Sequence, residues 1–393
     1  MAATFFAGKP RLVERGAEGL VRGQRLRITM LVPTPNLSGG LRVVFTHAAR
    51  LRLKGHEVNV VTVPPRRPSL REVARSLVRN GSWPRSPSGR VPPRYGGSTE
   101  CRTIECHRPI TDHDVPDADV VVATWWETAE WVAALSPRKG AKVYFIQGDE
   151  PSFCEPADRV ARTWQLPMHR ITCATWLADL VRERTGDDDV HAVPNAVDHD
   201  QFHAEPRGKQ AIPTVGMLYS TAAVKACDVA LEVIAGASRL LPDLDVRAFG
   251  MEAPTASMPL PSGARYAQAP AQHAIPRIYS SCDVWLCASR LEGFHLPPLE
   301  AMACRCPVVS TNVGGPSELV RNGVNGFLTD VDDVAALTQR LVTVLTLPDE
   351  QWRTFSEEAH ATATSYRWEL AADRFEAALL AAVAKSRRGA AHA

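Results

Sequence analysis

The pattern that most restricts the fold of this chain begins at Leu26. The run "LRITMLV" is apolar and β-branched, the loop "PTPNLSGG" breaks it, and "LRVVFTHAARLRLKG" then carries apolar residues at helical spacing. A second strand-like run, "HEVNVVTV", follows. Strand, glycine loop, helix and strand form a βαβ unit, which belongs in a parallel sheet with ligands at the carboxyl ends of its strands. Ser38, Gly39 and Gly40 therefore mark either a first candidate site or a plain tight turn between strand and helix.

The same rhythm continues through "ADVVVAT", "AKVYFIQGDE", "RITCAT" and "DVHAVPNAVD", alternating with helical stretches such as "WLADLVRERTG". A second series opens at "IPTVGMLYS" and runs through a helix near 228–240, then "DLDVRAFG", "DVWLCAS", "CPVVST" and "NGFLTD". Its last clear helix, "DDVAALTQRLVTVL", has an Asp cap and one apolar face. A length of 393 residues suits two domains, and two doubly wound α/β domains meeting at a cleft are expected, with the boundary near 199–211.

Composition narrows the function. Hydrophobic residues make up 45% and charged residues 22%, with no apolar run long enough to span a bilayer, so a soluble globular protein is expected. The start "MAATFFAGKPRLVERG" lacks the features of a secretory signal, and nine scattered cysteines suit a reducing compartment, which together predict a cytoplasmic protein. Cys282, Cys287, Cys304 and Cys306 are poorly spaced for zinc and read as buried small residues; no metal is expected. A net charge of +2 argues for no nucleic-acid partner. The basic excursion 64–95, with eight arginines and one glutamate, suits peripheral contact with anionic membrane, an acidic acceptor, or a solubilising loop.

The sharpest motif is "SRLEGFHLPPLEAMACRCP", in which Glu292 and Glu300 stand eight positions apart. "DVWLCAS" before it reads as a buried strand, and "PPLEAMAC" as a helix opened by proline, whose missing N–H is harmless there. The amides of Gly293, Phe294, His295 and Leu296 then sit at a helix amino terminus, which favours an anion such as phosphate. Glu300 is expected in the first turn, its carboxylate directed outward to ribose hydroxyls, and Glu292 on the loop facing the group beyond the phosphates. The plainer alternative makes Glu300 a complement to the helix dipole and Glu292 a solvated charge.

The stretch "SRLEGFHLPPLEAMACRCPVVSTNVGGPSELVRNGVNGFLTD" closely resembles the retaining GT-B glycosyltransferases of family GT4, whose E-x7-E signature matches Glu292 and Glu300. "LSGGLRVVFTHAARLRLKGHEV" is similar to that family's first loop and helix, "VPNAVDHDQF" to its interdomain passage and "SYRWELAADRFEAAL" to its closing segment. The resemblance implies two Rossmann-like domains facing a central cleft: an acceptor-side domain over 1–200, a nucleotide-sugar-binding domain over 201–368, and a helix over 369–393 crossing back to the first. It implies that Glu300 binds the donor ribose, that Gly293, Phe294, His295 and Leu296 hold phosphate or sugar hydroxyls, and that Glu292 contacts the transferred sugar. Lys225 matches the lysine that neutralises the donor diphosphate, and Gly39 and Gly40 approach donor phosphates and acceptor.

The donor is then a nucleotide diphosphate sugar, with no separate cofactor, and the acceptor a small molecule, glycan or natural product offering a hydroxyl. The sequence departs from the family in several places. Met217, Leu218, Tyr219 and Ser220 follow Gly216 where the family commonly has an arginine, leaving Arg290 or Arg42 as substitutes. His295 and Arg305 stand where small residues are frequent; His295 either touches a sugar hydroxyl or shapes the loop. "YFIQGDEPSF" resembles a rhamnosyltransferase-like branch, and Gln147, Asp149 and Glu150 either recognise sugar or acceptor or cap the following turn. Trp125 and Trp126 are open to a sugar-binding or a core role. Two rival readings remain: a glycoside hydrolase carboxylate pair, which leaves the phosphate-ready helix end unexplained, and a GT-B-shaped helper subunit without turnover.

Overall fold

A computed structural model describes residues 24–34, 39–66, 68, 71, 73–74 and 101–391. Ser38 and most of the basic 64–95 segment lie outside the described residues. The first domain contains β1 (Arg27–Val32), α1 (Gly39–Leu53), β2 (Glu57–Thr62), β3 (Cys101–Thr103), β4 (Val120–Ala123), α2 (Trp126–Ala134) and β5 (Ala141–Ile146). It continues with α3 (Ala157–Thr163), β6 (His169–Thr172), α4 (Thr175–Thr185) and β7 (Val190–Ala192). Among the described residues its seven strands pair in the order β3-β2-β1-β4-β5-β6-β7, all parallel. β4 is buried at every position and β1 at all but its first, because helices cover both faces; that is why these strands read as continuous apolar runs.

The second domain repeats the plan with β8 (Thr214–Tyr219), α5 (Cys227–Leu240), β9 (Asp245–Gly250), β10 (Arg265–Gln268), α6 (Ile275–Ser280) and β11 (Val284–Cys287). It closes with α7 (Leu296–Ala303), β12 (Val308–Thr311), α8 (Pro316–Leu319), β13 (Gly326–Thr329), α9 (Val334–Thr346) and α10 (Asp349–Thr364). The order β10-β9-β8-β11-β12-β13 is again parallel. In both sheets the strand order reverses beside the first strand, so the loops after β1 and β4, and after β8 and β11, rim a crevice where doubly wound sheets bind ligands. The Asp cap of α9 is present: Asp333 accepts from the Ala336 amide.

A last helix, α11 (Trp368–Ala391), packs on the first domain. Phe375 stacks on His47 with ring centroids 4.3 Å apart and meets Phe145 edge-on. Lys54 pairs with Asp373 and Glu376, and His56 Nε2 lies 2.8 Å from Glu376. The apolar core of the first domain runs without a break into the face of the second that carries Tyr279, Trp285 and Leu299. A separate core lies between the other face of that sheet and α5, α9 and Trp352. Cys282, Cys287, Cys304 and Cys306 are all buried within the first of these cores. Among the described residues no helix is long and apolar enough to cross a membrane.

Candidate functional site

The loop after β11 carries the first motif glutamate. Glu292 is 9% exposed, and both its oxygens accept from Lys225 Nζ, at 2.7 and 2.8 Å. Lys225 comes from the turn after β8, so the two strands at the second domain's switch point each supply one partner. Ser289 Oγ donates to Glu292 at 2.7 Å, and His295 Nε2 lies 3.4 Å away. Burial pushes the Glu292 carboxyl up, but its neighbours outweigh burial and hold it below the ordinary value. Burial lowers His295 to about 4, so the imidazole is neutral at pH 7 and Lys225 supplies the positive charge.

His295 caps α7 in the left-handed region, with φ 62°, a conformation that costs a β-carbon-bearing residue about 1–2 kcal/mol. Its Nδ1 is buried without a partner among the described residues. Among the described residues the amides of Gly293, Phe294 and His295 donate to no acceptor, leaving a row of N–H groups at the helix end.

Glu300 corrects the expectation of a first-turn, outward carboxylate. The helix starts at Leu296, ahead of the proline pair, which puts Glu300 in the second turn, where it is 5% exposed. It accepts from the Tyr279 hydroxyl at 3.0 Å and forms an ion pair with Arg42, from the first turn of α1 in the other domain. Arg42 also donates to Gln272 at 3.2 Å. Arg290, the other candidate cation, is held by Asp228 and Asp332.

The first domain presses directly on this loop. A β-carbon on Gly40 would lie 3.3 Å from Gln147 Oε1, and one on Gly39 3.8 Å from Leu296 Cδ1, so Gly39, Gly40, Gln147 and the start of α7 converge. Gln147 Oε1 is buried and has no hydrogen-bond partner among the described residues. Trp176 Nε1 donates to the Gly293 carbonyl at 2.8 Å, and its backbone amide donates to Glu318 of α8 at 2.7 Å. Asp149 turns away from this convergence: Arg184 grips its carboxylate and Ser152 donates to it at the turn after β5. Glu150 is buried, accepting from Tyr144 and the Trp126 amide, and burial raises it to about 8. Trp126 is buried, while half-buried Trp125 lies 6.1 Å from the ring of Phe153.

Tyr279, Ser289, Trp176 and Glu318 escaped the sequence reading. Tyr279 and Trp176 sit on short helices with no motif around them, and only the fold brings them to the glutamates. Ser289 had a signal, being three residues before Glu292 at the end of a strand.

Two Rossmann-like domains with facing switch points, closed over a pair of buried glutamates, define the GT-B architecture. Residues 200–362 match the family described as glycosyl transferases group 1. D-inositol 3-phosphate glycosyltransferase from Rhodococcus jostii (strain RHA1) is 29% identical over 236 residues, covering 56% of this chain and 49% of that protein. The chain thus spans about half the length of such a curated relative. Anabaena HepE in complex with UDP-glucose superposes with a TM-score of 0.66 at 16% identity, over 87% of this chain and 95% of that one. Sucrose-phosphate synthase from Thermosynechococcus elongatus does so with a TM-score of 0.69 at 16% identity, over 90% and 98%. These two likenesses are likenesses of fold.

Proposed function

We propose that this protein transfers a sugar from a nucleoside diphosphate sugar to an acceptor hydroxyl, with retention of anomeric configuration. The observation that carries the reading is the pair of buried glutamates, Glu292 and Glu300, each neutralised by a cation, beside the amides of Gly293 to His295, which have no acceptor among the described residues. Such amides suit a diphosphate, and Glu300 suits the ribose hydroxyls. Glu292 then meets the transferred sugar. Lys225 and the amides oppose the charge that builds on the leaving diphosphate, the largest electrostatic need of the step. Both carboxylates are engaged by partners, which favours a route in which positioning and leaving-group stabilisation supply the rate and the departing phosphate takes the acceptor's proton.

Gly39, Gly40 and Gln147 are assigned to the acceptor and sugar side, where the loops after β1 and β5 meet the donor loop. Asp149 is assigned a positioning role, through Arg184 and Ser152, for the turn that presents Gln147. The curated relative's name specifies an inositol phosphate acceptor, and a small polyol, phosphorylated or within a glycan, is the acceptor class we favour here.

The test is a melting-temperature screen of nucleoside diphosphates and their sugars, followed by mass spectrometry of the products of the best donor. A stabilising nucleotide, and transfer that Glu300→Ala abolishes and EDTA leaves intact, is the expected result. A chain that no nucleotide stabilises, or activity indifferent to Glu300→Ala, defeats the assignment. The anomeric coupling constant of the product decides retention.

A further inference from the structure

The donor site as it stands is charge-balanced. Two carboxylates, Glu292 and Glu300, face two cations, Lys225 and Arg42, one to one. A nucleoside diphosphate sugar adds about two negative charges, so binding demands that cations be reassigned. Arg290 is poorly placed for that exchange, since Asp228 and Asp332 both hold it near the surface. We propose that Arg42 is the second diphosphate cation: without donor it neutralises Glu300, and with donor it passes to the diphosphate while the ribose hydroxyls take over Glu300.

The inference rests on the donor reading above and adds the residue that completes it. Three features support the exchange. Glu300 keeps its hydrogen bond from Tyr279, so two ribose hydroxyls replace the guanidinium without leaving the carboxylate unsatisfied. Arg42 is the more accessible partner, with its side chain 26% exposed against 7% for Glu300, so it is the one able to move. It also springs from the first turn of α1, whose Gly39 abuts Leu296, the first residue of α7; the guanidinium thus works beside two helix amino termini, where an anion is favoured.

One consequence is mechanical. Lys225 belongs to the second domain and Arg42 to the first, so a diphosphate gripped by both ties domain closure to a loaded donor site.

The experiment is calorimetric titration of UDP, GDP and dTDP and their monophosphates into the unaltered chain and Arg42→Gln. The readout is the ratio of diphosphate to monophosphate affinity for the nucleotide that binds, in which the folded fraction cancels. Arg42→Gln is expected to lower that ratio by roughly 10- to 100-fold, the worth of a charge-assisted hydrogen bond or two. An unchanged ratio, or tighter diphosphate binding, makes Arg42 a mere competitor for Glu300 and overturns the inference. Should Arg42→Gln leave Glu300 too exposed to folding loss, the double variant R42Q/E300Q is read against E300Q, with the same fall expected and an unchanged ratio again fatal. If the unaltered chain binds none of these nucleotides, the donor reading fails, and this inference fails with it. If it binds them but the ratio ignores Arg42, only the inference falls.

Discussion

Gly293 lies so close to Gln147 that a β-carbon on it would sit 1.9 Å from the Gln147 carbonyl oxygen. The obstacle is backbone of the opposite domain, which no rotamer change removes. Gly293→Ala therefore forces the two domains apart at this contact and strains the core that runs between them. We expect kcat/KM to fall by about 100-fold or more, the usual cost of misplacing reacting groups by an ångström. The melting temperature should fall as well, because the core shared by the two domains is disturbed. Solution scattering should show a larger radius of gyration; activity close to that of the unaltered chain would contradict the closed arrangement.

Lys225, partly exposed, and Glu292, buried, form an ion pair that can be dissected by pH. Glu292 titrates below its ordinary value because burial is outweighed by His295 and Lys225 together, so the contribution of these partners is present above about pH 4.5 and is lost as pH falls through the lower folded value. Lys225→Met leaves the carboxylate buried without its cation. At pH 8 the cost should be about 2–4 kcal/mol in urea titrations, toward the low end for a broken buried pair because Lys225 is partly exposed. At pH 5 it should shrink, since burial without Lys225 favours the protonated acid. Adding Glu292→Gln should restore most of the stability but none of the activity. A cost that does not depend on pH would argue against the pairing.

Arg305 continues the chain beyond α7 in the left-handed region, with φ 61°. Its Nε donates to the Ala204 carbonyl at 2.8 Å and its guanidinium pairs with Glu357 at 2.6 Å, tying the interdomain passage to α10. Arg305→Gly and Arg305→Ala lose these bonds equally, so the difference between them isolates the backbone. Glycine should be the more stable of the two by about 1 kcal/mol in urea denaturation. Equal stabilities would show that the left-handed turn relaxes.

These examples show what was legible in the sequence. β1, β4, β5, β8 and β11 announced themselves because burial on both faces demands uninterrupted apolar residues. β3 and β10 did not: they lie at the sheet edges, and "CRT" and "RYAQ" contain no buried residue. Glu292 and Glu300 were visible because strand, glycine and proline surround them within one short stretch. The partner of Glu300 was harder, since Arg42 is 258 residues away and no local pattern encodes the pairing. His295 and Arg305 stood out only as large residues where small ones are frequent; their left-handed backbones gave that observation its physical content.

Two buried groups tilt the stability of the first domain in opposite directions with pH. Burial holds Glu150 at about 8 against an ordinary 4.5, so between these values the folded chain keeps a proton that the unfolded chain has released. Stability then falls as pH rises across that window, by up to about 1.4 kcal/mol per pH unit. His47 is the converse. It is fully buried among Phe145, Trp368 and Phe375, neither ring nitrogen is bonded among the described residues, and burial lowers it to about 3 from 6.5. Between those values the unfolded chain binds the extra proton, so stability rises with pH. Glu150→Gln retains an oxygen for Tyr144 and the Trp126 amide but cannot titrate; relative to the unaltered chain it should gain stability from pH 5.5 to pH 8. His47→Phe should gain it in the other direction, from pH 7 down to pH 4. Denaturant titrations across pH 4–8 separate the two, and parallel curves for all three proteins would show that neither group titrates as its surroundings require.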